Sequence, residues 1–128
     1  MKDANEYLLH VRALVIANEQ VLHWTLIREE AQSDKGLFRY RLALRDGGTL
    51  ELFEYFRVVE GQAQVRKHSF QWQDSAGKLR RRWDNAAHHP EVPTHPHHVH
   101  DGVDENVLPH APIDAEGVLG VVADKAQA

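Results

Sequence analysis

The residues best suited to chemistry in this sequence are histidines, and most of them lie in one stretch. Residues 88–101, HHPEVPTHPHHVHD, contain six histidines and three prolines. Proline favours extended backbone at its own position and at the residue before it, so His98 and His100 should project to the same side of the chain. Such a pair is half of a typical metal site. Four neighbouring side chains are suited to complete it: Glu91, His95, Asp101 and Glu105.

The same histidines are also suited to acid/base chemistry. The ordinary pKa of an imidazole is about 6.5, so both protonation states are populated near neutral pH. Two imidazoles near a phosphodiester can therefore act as general base and general acid. A solvated coil without chemistry is the third interpretation, although the stretch lacks the Gly and Ser residues typical of a flexible linker.

The elements that must position this stretch are short strands. Five β-rich segments between residues 21 and 84 are separated by the turn sequences SDKG, DGG, EG and DSAG, which predicts an antiparallel meander. Apolar residues at helical spacing predict a helix over residues 4–17, with Asp3 as its N-cap, and a second helix over residues 113–126. We therefore expect a single α+β domain over residues 1–128, with an N-terminal helix, a meander of four to six strands and a C-terminal helix.

The turn lengths also predict a polar row across this sheet. Turns at residues 46–48, 60–61 and 74–77 pair Tyr40 with Glu54, place Lys67 opposite Glu54, and bring Asp84 beside Lys67 and Arg82 beside Ser69. Charges on an otherwise apolar face are costly unless they are paired. The row is therefore either a structural ion-pair network or one wall of a site. Its members are Glu54, Lys67, Arg82 and Asp84.

The other face of the predicted sheet alternates arginines with aromatic residues. Such a face can hold phosphates and stack bases, or it can be half covered by the C-terminal helix. Residues 28–84 carry 12 basic and 9 acidic side chains, whereas residues 85–128 carry 1 basic and 7 acidic ones. The basic excess in the middle of the chain is compatible with a polyanionic ligand, but an ordinary solvated surface explains it better. The side chains predicted to bind RNA are Arg39, Arg41, Tyr55 and Trp72.

Composition excludes some classes of protein. The sequence has no cysteine, which excludes disulfides and thiolate chemistry. The apolar run YLLHVRALVIA is interrupted by His10 and Arg12 and is too short to span a membrane. We expect a soluble cytoplasmic protein.

Several segments resemble the TumE-type toxins of bacterial type II toxin–antitoxin systems. The resemblance runs from about residue 28 to residue 122 and includes LELFEYF, RKHSFQWQD and the long motif RWDNAAHHPEVPTHPHHVHDG. Gln71 stands where the family pattern has a histidine, and His95 stands where it has an aromatic residue. The residues that match the pattern are Glu54, Lys67, Trp72, Gln73, Arg82, Asp84, His88, His89, His97, His98 and His100.

The resemblance implies a small toxin encoded beside its antitoxin. We predict metal-independent cleavage of RNA without a cofactor, in which His88, His98 or His100 transfer protons and Arg82 or Lys67 stabilises charge on the phosphate. The predicted catalytic residues are Glu54, Lys67, Arg82, Asp84, His88, His98 and His100. A metal-dependent hydrolase and a non-catalytic toxin that binds a protein are the alternatives. The expected partners are a cognate antitoxin and RNA, not a membrane, and self-association is left open.

Overall fold

The computed structural model describes residues 3–87, 89 and 91–127 of the 128-residue chain. In chain order its elements are α1 (Ala4–Ala17), β1 (Val21–Gln32), β2 (Lys35–Leu44), β3 (Thr49–Val59), β4 (Gln62–Gln73), β5 (Leu79–Asp84), β6 (His98–Asp101), β7 (Val107–Pro109) and α2 (Ala115–Gln127). Within the described residues the strands form one sheet, in which every strand pairs antiparallel with the next one in the chain. The predicted α+β meander between two helices is thus confirmed. The sheet has seven strands rather than four to six, because the histidine-rich stretch contributes β6 and the chain then returns as β7.

Both helices pack against one face of the sheet, which we call the helix-covered face. The N-cap of α1 is Asp3, as predicted, and its side chain accepts a hydrogen bond of 3.0 Å from the backbone N–H of Glu6. Alternate residues of β2 and β3 are buried on this face, as expected for strands with one covered side. The core they form with the helices includes Tyr7, Val11, Val15, Phe38, Tyr40, Leu42, Leu50, Leu52, Phe56, Phe70, Trp72, Trp83, Val118 and Leu119. No helix among the described residues is long and apolar enough to cross a membrane.

The residues between these buried positions project to the opposite side, which we call the open face. The predicted distribution of residues over the two faces of β2 and β3 was correct, but their pairing was not. Leu50 pairs with Leu42 and not with Leu44, because the connection is longer than predicted and the N–H of Leu44, the last residue of β2, donates to the carbonyl of Gly48 at 2.9 Å. A slip of two residues moves the partners but keeps every side chain on its face.

A β-bulge between β3 and β4 overturns the predicted polar row. Phe56 pairs with Val65, whereas Tyr55 pairs with Lys67, so Arg66 is one extra residue in β4. Beyond the bulge the faces of β4 are exchanged relative to the prediction. His68 lies opposite Glu54, in the place predicted for Lys67, and Lys67 is exposed on the open face.

Candidate functional site

Two rows of side chains cross the open face of the sheet from β2 to β6. Each row consists of residues that pair directly across neighbouring strands, so its members lie side by side on one face. The first row is Arg41, Glu51, Gln71, Arg82 and His100. The second row is Arg39, Phe53, Ser69, Asp84 and His98. The predicted row of Glu54, Lys67, Arg82 and Asp84 does not form, because Arg82 and Asp84 lie in neighbouring rows of the open face and Glu54 lies on the other face.

Among the described residues, three histidines meet at the β6 end of these rows. His98 and His100 lie on the same side of β6, as predicted, and His89 approaches them from the connection between β5 and β6. The ring centroids are 4.9 Å apart for His98 and His100, 4.9 Å for His89 and His98, and 5.5 Å for His89 and His100. One ring nitrogen from each residue lies within 4.8 Å of the other two. We call these three residues the histidine cluster.

The Nδ1 atom of each ring in the histidine cluster faces an oxygen atom. His98 Nδ1 lies 2.9 Å from the carbonyl of Pro96, and His100 Nδ1 lies 2.7 Å from the carbonyl of Asp104. His89 Nδ1 lies 2.8 Å from the carboxylate of Glu91. A carbonyl oxygen only accepts hydrogen bonds, so Nδ1 carries the N–H in His98 and His100. In His100 the lone pair is therefore on Nε2, which the Arg82 guanidinium approaches at 3.3 Å.

Asp84 and Arg82 of β5 complete the site. The carboxylate of Asp84 is 2.8 Å from His98 Nε2 and 3.5 Å from His100 Nε2. The guanidinium of Arg82 lies 3.5 Å from Asp84, 3.3 Å from His100 Nε2 and 2.8 Å from the carboxylate of Asp104. Arg82 is thus held by two carboxylates, and its side chain keeps 25% exposure towards the open face.

Access differs strongly among these residues. His98 is 1% exposed and His100 is 2% exposed, whereas the side chain of His89 keeps 24% exposure. Burial lowers the pKa of His98, because the charged imidazolium is disfavoured away from water, although the Pro96 carbonyl and the Asp84 carboxylate oppose that shift. A substrate on the open face would first meet Arg82 and His89.

Glu54, predicted to be catalytic, lies on the helix-covered face, away from the histidine cluster. Its side chain is fully buried, accepts a 2.6 Å hydrogen bond from the hydroxyl of Tyr7, and accepts another of 2.6 Å from the backbone N–H of Ala115. Burial raises the pKa of Glu54 to about 7, although both hydrogen bonds favour the charged form. Because the two donors belong to α1 and to the first turn of α2, Glu54 ties both helices to the sheet.

The predicted RNA-binding residues divide between the two faces. Arg39, Arg41 and Tyr55 lie on the open face, as expected. Arg39 stacks over the ring of Phe53, with its guanidinium carbon 4.7 Å from the ring centroid, and Arg41 keeps 66% side-chain exposure. The prediction that placed Trp72 beside these arginines was wrong, because the bulge in β4 turns Trp72 into the core, where it is 4% exposed and pairs with Leu50.

His88, which was predicted to be catalytic, lies outside the described residues. His89 and Asp104 belong to the site in the structure but were not among the predicted site residues. His89 belongs to the recognised motif, and its proximity to His98 and His100 depends on the path of the connection between β5 and β6, which no sequence pattern specifies. Asp104 was missed because it reaches Arg82 from the turn after β6. Among the described residues, the side chain that the structure groups with His98 and His100 is His89, and this group does not include Glu91, His95, Asp101 or Glu105.

Fold and site together define an α+β protein with a histidine cluster beside an arginine-bearing open face of its sheet. The family model described as Toxin TumE matches residues 11–125, which is nearly the whole chain. The chain therefore belongs to the TumE toxin family, as its resemblance predicted. No curated protein and no solved structure gives a significant match.

Proposed function

We propose that this toxin belongs to a type II toxin–antitoxin pair and cleaves RNA on the open face of its sheet, at the histidine cluster. Membership of a toxin family implies an antitoxin that neutralises it. The observation that supports RNA as the target is the continuity of the two rows, which join exposed arginine and aromatic side chains to Arg82, Asp84 and the cluster. RNA and a protein antitoxin are both present in the cytoplasm, and we therefore propose that the toxin acts there.

The open face offers the contacts that single-stranded RNA requires. Arg41 is exposed and can pair with a phosphate, while Tyr55, with 39% exposure, and Phe53 offer rings on which bases stack. Gln71 lies between Glu51 and Arg82 in the first row and carries both a donor and an acceptor. A strand of RNA lying along this row would bring a phosphodiester to Arg82, whose charge can stabilise the transition state.

Two kinds of chemistry at the cluster lead to the same function. In metal-independent cleavage, one imidazole removes the proton of a ribose 2′-hydroxyl and its oxygen attacks phosphorus. The bond from phosphorus to the 5′-oxygen then breaks, and a second imidazole protonates the leaving oxygen. Of the predicted proton carriers His88, His98 and His100, the two that the structure describes, His98 and His100, are buried. Their burial favours the second chemistry, metal-dependent hydrolysis, since metal ligands need no direct contact with the substrate.

Controlled expression in a bacterial host tests the proposal. Wild-type protein should arrest growth and fragment cellular RNA, and co-expression of the product of the neighbouring gene should restore growth. His89→Ala should relieve the arrest, because it removes the partly exposed member of the cluster. The matched control is His23→Ala, which removes an exposed histidine from β1 and should leave the arrest unchanged.

Two results would contradict the proposal. RNA fragmentation at the wild-type level by His89→Ala would separate cleavage from the cluster. Growth arrest without any RNA fragmentation would favour the non-catalytic alternative, a toxin that acts by binding a protein.

A further inference from the structure

We propose that the histidine cluster binds one divalent transition-metal ion, through the Nε2 atoms of His89, His98 and His100. The proposal deepens the proposed function, since it assigns a cofactor to the same site. Imidazole nitrogens are ligands for zinc, nickel, copper and iron, whereas magnesium and calcium prefer oxygen. Three imidazoles that leave one position for water are the ligand set of a typical catalytic zinc ion.

The groups around the three rings are those that support metal-binding histidines. Such a histidine usually directs its other nitrogen to a carbonyl or a carboxylate, which fixes the ring and makes the metal-binding nitrogen more basic. All three members of the cluster have this arrangement at Nδ1: a carbonyl at 2.9 Å for His98, a carbonyl at 2.7 Å for His100, and a carboxylate at 2.8 Å for His89. Packing alone would not require all three rings to direct Nδ1 towards an oxygen atom, so this shared orientation supports a metal-binding role.

The distances allow coordination after a small adjustment. The candidate ligand nitrogens lie within 4.8 Å of one another. Zinc–nitrogen bonds of about 2.1 Å correspond to roughly 3.4 Å between the ligands of a tetrahedral ion. The nitrogens must therefore approach one another by up to about 1.4 Å, and His89, the least buried of the three, has the most room to move. His98 and His100 lie two residues apart on the same side of β6. The contacts of their Nδ1 atoms with backbone carbonyls already fix both rings.

The charges around the cluster also favour a cation. The carboxylate of Asp84 lies 2.8 Å from His98 Nε2, where it can accept a hydrogen bond from a metal-bound water or share the metal's charge. Asp104 and Glu91 add two further carboxylates, at 3.8 Å from His100 and 2.8 Å from His89. Arg82 opposes the cation, since it approaches His100 Nε2 at 3.3 Å. Metal binding would replace that contact and leave the 2.8 Å pair between Arg82 and Asp104 in place.

Zinc binding by the purified full-length protein tests the inference. After treatment with chelator and dialysis, wild-type protein should bind one Zn²⁺ per chain in calorimetry. At about 100-fold excess of zinc over its Kd, the thermal midpoint should rise by on the order of 5 to 10 °C. His89→Ala should weaken zinc binding by at least about 100-fold and abolish the thermal shift. His23→Ala, a matched histidine outside the cluster, should bind zinc like the wild type.

The readouts separate this inference from the proposed function. The inference is overturned if the wild type binds none of Zn²⁺, Ni²⁺, Cu²⁺ and Fe²⁺. It is also overturned if His89→Ala binds zinc as tightly as the wild type while its thermal midpoint without metal is unchanged. If the wild type binds no metal but still cleaves RNA in the presence of chelator, the metal site is refuted and the proposed function stands, with the imidazoles transferring the protons directly. Stoichiometric zinc binding without any RNA cleavage would support the metal site and contradict the proposed function.

Discussion

Replacing the buried carboxyl of Glu54 by an amide tests the structural role that we assign to it. Glu54→Gln keeps the size and shape of the side chain. The amide oxygen can accept from the Ala115 N–H, and the amide nitrogen can donate to the Tyr7 hydroxyl. The substitution removes only the ability to ionise. We expect Glu54→Gln to fold and to be more stable than the wild type above neutral pH.

The size of the effect follows from the pKa of Glu54. Burial raises this pKa from 4.5 to about 7, so the folded protein binds a proton that the unfolded chain releases. This contribution to stability is fully present below about pH 4.5 and is lost as the pH rises through about 7. One pKa unit corresponds to about 1.4 kcal/mol, so the group should lose roughly 2 kcal/mol of stabilisation between about pH 5 and about pH 7.5.

Urea unfolding at several pH values measures this loss. The free energy of unfolding of Glu54→Gln minus that of the wild type should increase by roughly 2 kcal/mol from about pH 5 to about pH 7.5. Glu19→Gln, the same chemical change at an exposed position, should give a difference that hardly varies with pH. A flat difference for Glu54→Gln would refute the raised pKa and with it the description of Glu54 as a buried group that can hold a proton.

Three further predictions follow from the same structure. Tyr7→Phe removes the hydroxyl that donates to Glu54 at 2.6 Å and should cost about 1.5–3 kcal/mol in urea unfolding near pH 8, where the carboxylate is charged, and less near pH 5. Trp83→Ala should lower the free energy of unfolding by about 3–5 kcal/mol, because the Trp83 side chain is 1% exposed. Trp24→Ala, at a position with 40% exposure, should lower it by less than about 1 kcal/mol, and equal losses would contradict the assignment of Trp83 to the core. Arg41→Ala should weaken the binding of single-stranded RNA, measured by filter binding, and reduce the slope of log affinity against log salt concentration by about 0.7. An unchanged slope would contradict a contact between Arg41 and an RNA phosphate.

Most of the fold could be predicted from the sequence because local signals agree with it. Asp3 is placed to cap the apolar stripe of α1, and Gly-containing turns separate runs of strand residues. The number of strands was underestimated because β6 is only four residues long and carries three polar side chains, so it lacks the apolar run by which a strand is recognised.

The site was harder to predict because it depends on register. The bulge at Arg66 exchanges the faces of β4, and this single residue separates Glu54 from Asp84 and places Trp72 in the core. A signal was present in the sequence, since the apolar positions change from odd numbers at Ala63 and Val65 to even numbers at Phe70 and Trp72. The participation of His89 had no comparable signal, because it depends on the path of an irregular connection.

The cleavage rate of a labelled RNA by purified protein is the measurement that tests the central claim most directly. Wild-type protein and His100→Ala should be compared at a temperature at which circular dichroism shows both to be folded. If the histidine cluster is the catalytic site, the variant should cleave about 10²- to 10⁴-fold more slowly than the wild type. Cleavage by His100→Ala at the wild-type rate would contradict the claim that this cluster carries the chemistry.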